Sequence, residues 1–194
     1  MPLDGAMLSQ VKQEIETAVG ARVDRITQPG REELIVALRG RQGAYRLLIS
    51  VNAASPRVHF TRAAVENPKT PPMFCMLMRK LLGSAQLTEV RQAGLDRILE
   101  LDFDTIDELG DHVTLTLCVE IMGRHSNLII RRPDGKIVDS IKRIDTSMSS
   151  VRPILPGLTY TLPPAPAEKL NLLEVSADAV IEKLRSEPRQ IELS

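Results

Sequence analysis

The chain has 194 residues with 25 basic and 25 acidic side chains, 43% hydrophobic and 26% charged residues, the proportions of an ordinary globular protein. Aromatic residues make up only 3%, with no tryptophan, which argues against a platform for stacking bases and leaves phosphate and shape contacts to any nucleic-acid partner. No run approaches the roughly 20 apolar residues of a membrane span, Met1–Gly5 lacks a secretory pattern, and Cys75 and Cys118 sit in apolar stretches as two buried free thiols, so a reducing, cytosolic setting is expected.

Met7, Leu8, Val11, Ile15, Ala18 and Val19 recur at helical spacing, with Asp4 as N-cap and Gly20 as stop. The period then changes. Arg22–Gln28, Glu33–Arg39, Tyr45–Val51 and Arg57–Thr61 are β-prone runs separated by turn residues, and they read as an antiparallel meander. Pro71 and Pro72 open a second helix, Met73–Leu82, which is apolar nearly all round and is expected to be buried on most sides.

Further strands are expected at Leu87–Gln92, Asp96–Phe103, Val113–Glu120, Asn127–Arg131 and Lys136–Ser140. A last helix runs from a Ser176 cap to Arg185, with Val180, Ile181 and Leu184 as its stripe. These elements predict an α+β fold: a β-rich, two-layered antiparallel sandwich with two or three helices. Residues 1–152 would form its core and residues 153–194 a proline-rich closing arm and C-terminal helix.

The neutral total hides segregation of charge. Residues 57–97 and 122–152 each hold seven basic and three acidic side chains, whereas residues 98–111 hold six acids and no base. No nucleophile elbow, zinc spacing, Walker loop or dinucleotide fingerprint is present, so no catalytic residue, metal or cofactor is expected.

The most unusual stretch is Glu120-Ile121-Met122-Gly123-Arg124-His125-Ser126-Asn127, which packs four polar residues behind a glycine turn. Either Ser126 and Asn127 bond the turn backbone while Arg124 and His125 face water, or the stretch is a recognition loop. By strand parity Arg97 shares a face with Leu99, Leu101 and Phe103, and Glu120 is its expected carboxylate partner. Pro2, freed of Met1, would present a secondary amine able to form an imine; the plain alternative is a proline that merely follows the initiator.

Six segments in order resemble the amino-terminal domains of NFACT proteins: Leu3–Gly5, Arg22–Pro29, Pro71–Lys80, Leu95–Ile98, Glu120–Asn127 and Leu155–Tyr160. Bacterial members of that family carry the label of fibronectin-binding proteins and are similar to ribosome quality-control factors. The resemblance implies a non-catalytic module that binds tRNA, above all alanyl-tRNA, and the large ribosomal subunit with stalled peptidyl-tRNA, supporting C-terminal alanine tailing. It places Asp96, Arg97, Glu120, Ile121 and Met122 in the tRNA-recognition surface, with Arg124, His125, Ser126 and Asn127 continuing it, and Arg79 and Lys80 as weaker candidates.

The family also resembles the amino-terminal domain of formamidopyrimidine-DNA glycosylases, so a lyase acting through Pro2 is one alternative and a surface adhesin for fibronectin another. Those glycosylases follow their proline with glutamate, and Leu3 stands there in this chain. Family members carry helical, coiled-coil and second NFACT regions downstream, so further domains of a longer protein are expected as partners.

Overall fold

A computed structural model describes residues 3–149, 151–164 and 176–186. The chain divides into two compact units, residues 1–162 and 163–194. In the first, helix α1 spans Gly5–Glu16, and the Asp4 side chain accepts from Met7 N at 2.8 Å, as its N-cap position demands. The helix ends four residues before the expected stop at Gly20. Thr17 is the C-cap, and Ala18 and Val19 close the end with three-residue turns. Leu8, Ile15 and Ala18 are buried, whereas Met7 and Val19 are exposed, so the buried face is narrower than the apolar spacing predicts.

Nine strands follow: β1 Arg22–Gly30, β2 Glu33–Gly40, β3 Gly43–Ser50, β4 Arg57–Phe60, β5 Gln86–Arg91, β6 Ile98–Ile106, β7 His112–Glu120, β8 Asn127–Arg131 and β9 Ile137–Ser140. All pairings are antiparallel, in the order β4-β3-β2-β1-β5-β6-β7-β8-β9. The β1–β5 junction is a single residue pair, Arg22 with Gln86, so the sheet consists of two well-paired halves joined by a narrow link.

One core takes Leu34, Val36, Leu47 and Ile49 from the first half and Leu101, Phe103, Leu117 and Ile130 from the second. This is the β-rich α+β architecture that the alternating patterns predict. Helix α2, Met73–Leu82, adds Phe74, Cys75, Met78 and Leu82 to the same core. Its opposite side is not buried: Met73 and Met76 are 84% and 57% exposed, which corrects the expectation of a helix covered on most sides.

The second face of β7 departs from a simple alternation. Thr116, Cys118 and Glu120 are buried as deeply as the core-facing Leu117 and Val119. The chain after β9 folds back across this face, fastened by bridges between Ile144 and Ile154 and between Lys136 and Thr159. A second apolar cluster of Cys118, Ile129, Ile137 and Ile154 forms beneath it, with Ile144 and Tyr160 packed against it.

In the second unit, helix α3 covers Ala177–Ser186, and Ser176 Oγ accepts from Ala179 N at 3.3 Å. Ile181 of its expected stripe is 45% exposed, and the side chains of Val180 and Leu184 lie outside those described. No helix of the described residues is long and apolar enough to cross a membrane.

Candidate nucleic-acid interface

The ends of β6, β7 and β8 come together through the register Ile98–Glu120–Asn127. Beyond that row the chain leaves the sheet in two loops, residues 93–97 and 121–126. A hydrogen bond from Ile121 N to Arg97 O, at 2.8 Å, ties them side by side. Asp96 and Arg97 thus lie in a loop before β6, not inside the strand as expected.

The first loop rests on the start of α1. Gln92 Nε2 donates to Asp96 O at 2.8 Å and to Gly5 O at 2.9 Å. A Cβ on Gly5 would fall 1.7 Å from Leu95 O, so only glycine lets the loop lie this close to the helix.

The second loop is a single 3-10 turn at Gly123–His125. Gly123 has φ +57, in the left-handed region that glycine enters without strain. Ser126 Oγ accepts from Met122 N at 2.8 Å, closing the turn. The Asn127 amide donates to Lys142 O at 2.8 Å, and its Oδ1 accepts from Leu128 N and Lys142 N. Both side chains are buried and committed to backbone.

Arg124 and His125 remain exposed, with Arg124 Nε donating to His125 Nε2 at 3.0 Å. The turn therefore adopts the geometry of the plain alternative, and in doing so it presents an arginine and a histidine at a defined position.

Glu120 is fully buried and does not touch Arg97. Arg152 Nη2 donates to its Oε1 at 2.6 Å, Arg152 Nη1 to its Oε2 at 3.0 Å, and Tyr160 OH to Oε1 at 2.9 Å. The expected Arg97–Glu120 pair fails for a geometric reason. Glu120 is opposite Ile98 and shares its face, whereas Arg97, one residue earlier, belongs to the alternate side.

Burial works against the Arg152 charge, yet the carboxylate beside it holds the guanidinium above its ordinary pKa. Burial, and then the Glu120 charge, push the Tyr160 hydroxyl far up. The Tyr160 ring lies beneath two guanidinium groups, Arg152 at 5.2 Å and Arg131 at 5.8 Å from its centroid.

A ladder of charge continues along the same face. Arg131 Nη2 donates to Glu100 Oε1 at 3.0 Å, Arg91 Nη2 to Glu100 Oε2 at 3.2 Å, and Arg91 pairs with Asp102, which also accepts from Thr116 Oγ1 at 2.8 Å. Sequence patterns placed none of Arg91, Arg131, Arg152 or Tyr160 here. A signal was present: Glu100, Asp102 and Asp104 alternate along β6, so three acids share one strand face and need cations on its neighbours.

The geometry divides the nine motif residues. Asp96, Arg124 and His125 are exposed and Arg97 and Met122 half-buried, whereas Glu120, Ile121, Ser126 and Asn127 are buried. Arg79 and Lys80 are engaged elsewhere, Arg79 Nε donating to Ile26 O at 2.7 Å and Lys80 pairing with Glu108 at 2.6 Å. Among the described residues no three His, Cys, Asp or Glu side chains converge as metal donors. Pro2 lies outside the described residues.

The family model for NFACT N-terminal and middle domains matches residues 4–193. Over 186 residues the chain is 40% identical to the Rqc2 homolog RqcH of Bacillus subtilis (strain 168), a match covering 95% of this chain and 32% of that protein. It thus spans about a third of the length of that curated relative. The solved N-terminal domain of fibronectin-binding protein PavA from Streptococcus pneumoniae superposes with a TM-score of 0.87 at 34% identity, over 95% of this chain and 69% of that one. The N-terminal part of the fibronectin/fibrinogen-binding protein from Streptococcus suis gives 0.87 at 38%, over 96% and 70%.

Proposed function

We propose that this chain, which belongs to the NFACT family, is the non-catalytic tRNA-binding module of a cytoplasmic ribosome quality-control factor. Its partners are alanyl-tRNA and the large ribosomal subunit bearing stalled peptidyl-tRNA, and the factor as a whole supports C-terminal alanine tailing. Peptide transfer belongs to the ribosome. The similarity to an Rqc2 homologue supports the quality-control setting.

The observation that carries the RNA reading is the Ile121 N to Arg97 O bond, which sets the exposed Arg124–His125 turn beside the Asp96–Arg97 loop. An exposed arginine on a rigid turn supplies a planar fork for a phosphate. Asp96 accepts from ribose hydroxyls or base edges, and Met122 offers an apolar contact. Glu120, Ile121, Ser126 and Asn127 act from below by holding the turn, and Arg79 and Lys80 are secondary candidates.

The test is titration of labelled tRNA into the wild type and an Asp96→Ala/Arg97→Ala variant at two salt concentrations. Salt-sensitive binding that the variant loses supports the reading, and equal binding by both overturns it.

Two solved relatives that are named as fibronectin-binding proteins favour a second reading, binding of fibronectin. Saturable capture of fibronectin that tRNA does not displace would support it. A lyase acting through Pro2 predicts an adduct with abasic DNA trapped by borohydride, and absence of the adduct ends that alternative.

A further inference from the structure

The outward face of β1–β3 is an arginine surface created by a bulge. Val23 pairs with Leu38 and Ile26 with Val36, and all four point into the core. Strict alternation from Val23 would turn Arg25 inward as well. The register shift between Val23 and Arg25 absorbs Asp24 as an extra residue and returns Arg25 to the face of Arg22. Across the sheet, Arg22 stands opposite Arg39, and Arg25 opposite Ala37, which in turn faces Arg46.

Arg22, Arg25, Arg39 and the turn residue Arg41 are all exposed. Neutralisation among them is slight. Arg39 reaches Asp24 at 3.8 Å with the two side chains 73% and 50% exposed, a solvated contact of little strength. Arg22 donates to Ser84 O at 3.0 Å and keeps its charge, and Arg25 and Arg41 have no ion pair among the described residues.

The next acid along the row is Asp104, beyond Gln86. At two strand spacings, about 10 Å, it is roughly one screening length away, and it is turned to His112 at 3.2 Å. Four arginines therefore face solvent with one aspartate among them.

The occupant follows from the chemistry. Ala37 and Ala44 between the arginines leave the guanidinium groups unobstructed. Neighbouring strands stand about 4.8 Å apart, so side chains of this length splay over adjacent anionic groups of a repeating polymer. Guanidinium forks match phosphate oxygens two at a time. None of the exposed large apolar side chains lies in β1–β3, so the face lacks the wedge that a lipid surface requires. With no aromatic exposed on it, it would read backbone and not bases.

We propose that the Arg22–Arg25–Arg39–Arg41 surface is a second RNA contact that grips the phosphate backbone of a base-paired stem, apart from the Arg124 turn. It rests on the RNA reading above and adds to it a part of the ligand, the duplex backbone, that the turn does not address.

The test compares the full chain with an Arg25→Ala/Arg39→Ala/Arg41→Ala variant, the corresponding triple lysine variant, and Arg124→Ala. Each is titrated over a salt series into a tRNA transcript, a blunt RNA duplex without loops, and anionic phospholipid vesicles. The slope of log K against log salt is expected to drop by about 2–3 in the triple alanine variant for both RNAs, at roughly 0.7–0.9 for each phosphate no longer neutralised. The triple lysine variant should keep most of the slope, and thermal unfolding should not move.

An unchanged slope in the triple alanine variant overturns the inference, as does wild-type binding to vesicles without binding to the duplex. Loss of tRNA binding only in Arg124→Ala leaves the turn reading standing and this one refuted. Loss only in the triple alanine variant does the reverse, and no binding to either RNA refutes both.

Discussion

Arg152 holds Glu120 through two hydrogen bonds, of 2.6 and 3.0 Å, across 32 residues of sequence, and Glu120 is fully buried while Arg152 keeps 13% of its side-chain surface. The chain after β9 is thereby pinned over the outer face of β7, and the last residue of β7 is fixed where it enters the Arg124 turn. The resemblance implied a recognition role for Glu120, whereas its position makes it part of the frame beneath the turn.

Truncating one member of this pair strands the other. Arg152→Ala leaves a carboxylate buried with only Tyr160 as donor, and a loss of about 3–5 kcal/mol in urea unfolding is expected. A double substitution to Leu at 120 and Met at 152 removes both charges and should recover most of that loss. If the single variant is as stable as the wild type, the pair contributes nothing.

Arg124→Ala separates binding from folding. Its side chain is exposed, so stability should stay within about 0.5 kcal/mol of wild type. The salt slope of tRNA binding should fall by about 1, the share of a single phosphate. Ser126→Ala does the opposite, leaving the Met122 N–H without its acceptor at a cost of about 1–3 kcal/mol.

Gly5→Ala tests the seating of the Asp96 loop on α1. A methyl group 1.7 Å from Leu95 O forces the loop or the helix start to move. Destabilisation of about 1–3 kcal/mol is expected by thermal melting, together with weakened tRNA binding. Unchanged melting and binding would mean that the loop position does not matter.

Alkaline pH should weaken the fold through Cys118. Burial, and then the Glu100 charge, push its thiol up to about 12, and burial raises Cys75 as well. An unfolded thiol titrates near 8.5, so between those values the unfolded chain has lost protons that the native chain retains, and stability falls as pH rises. The Cys118 contribution to the slope is at most about 1.4 kcal/mol per pH unit. Cys118→Ser should flatten the curve above about pH 8.5, as read by urea midpoints across that range.

Local patterns carried most of the fold. Residues 73–82 form the second helix within the boundaries that Pro72 and Gly83 set, and β7 and β8 begin within a residue of the expected positions. Helical and strand periods, caps and turns are properties of a few consecutive residues, and they survive in the tertiary structure wherever one face meets one core. Where two surfaces compete, they mislead. The apolar ring of α2 exceeds what the core covers, and Met73 and Met76 stay in solvent.

The nine strands, the bounds of α2, the glycine turn at 123 and the order of motifs that places the chain in its family were all legible in local residue patterns. The tertiary structure alone decided that Glu120 meets Arg152 instead of Arg97, that a segment after β9 buries the second face of β7, and that Arg25 joins Arg22 and Arg39 on an outward face. The physical reason is the same in all three. Strand register and a one-residue bulge reverse the side to which a side chain points, and ion-pair partners are selected across tens of residues by chain return, neither of which local periodicity encodes.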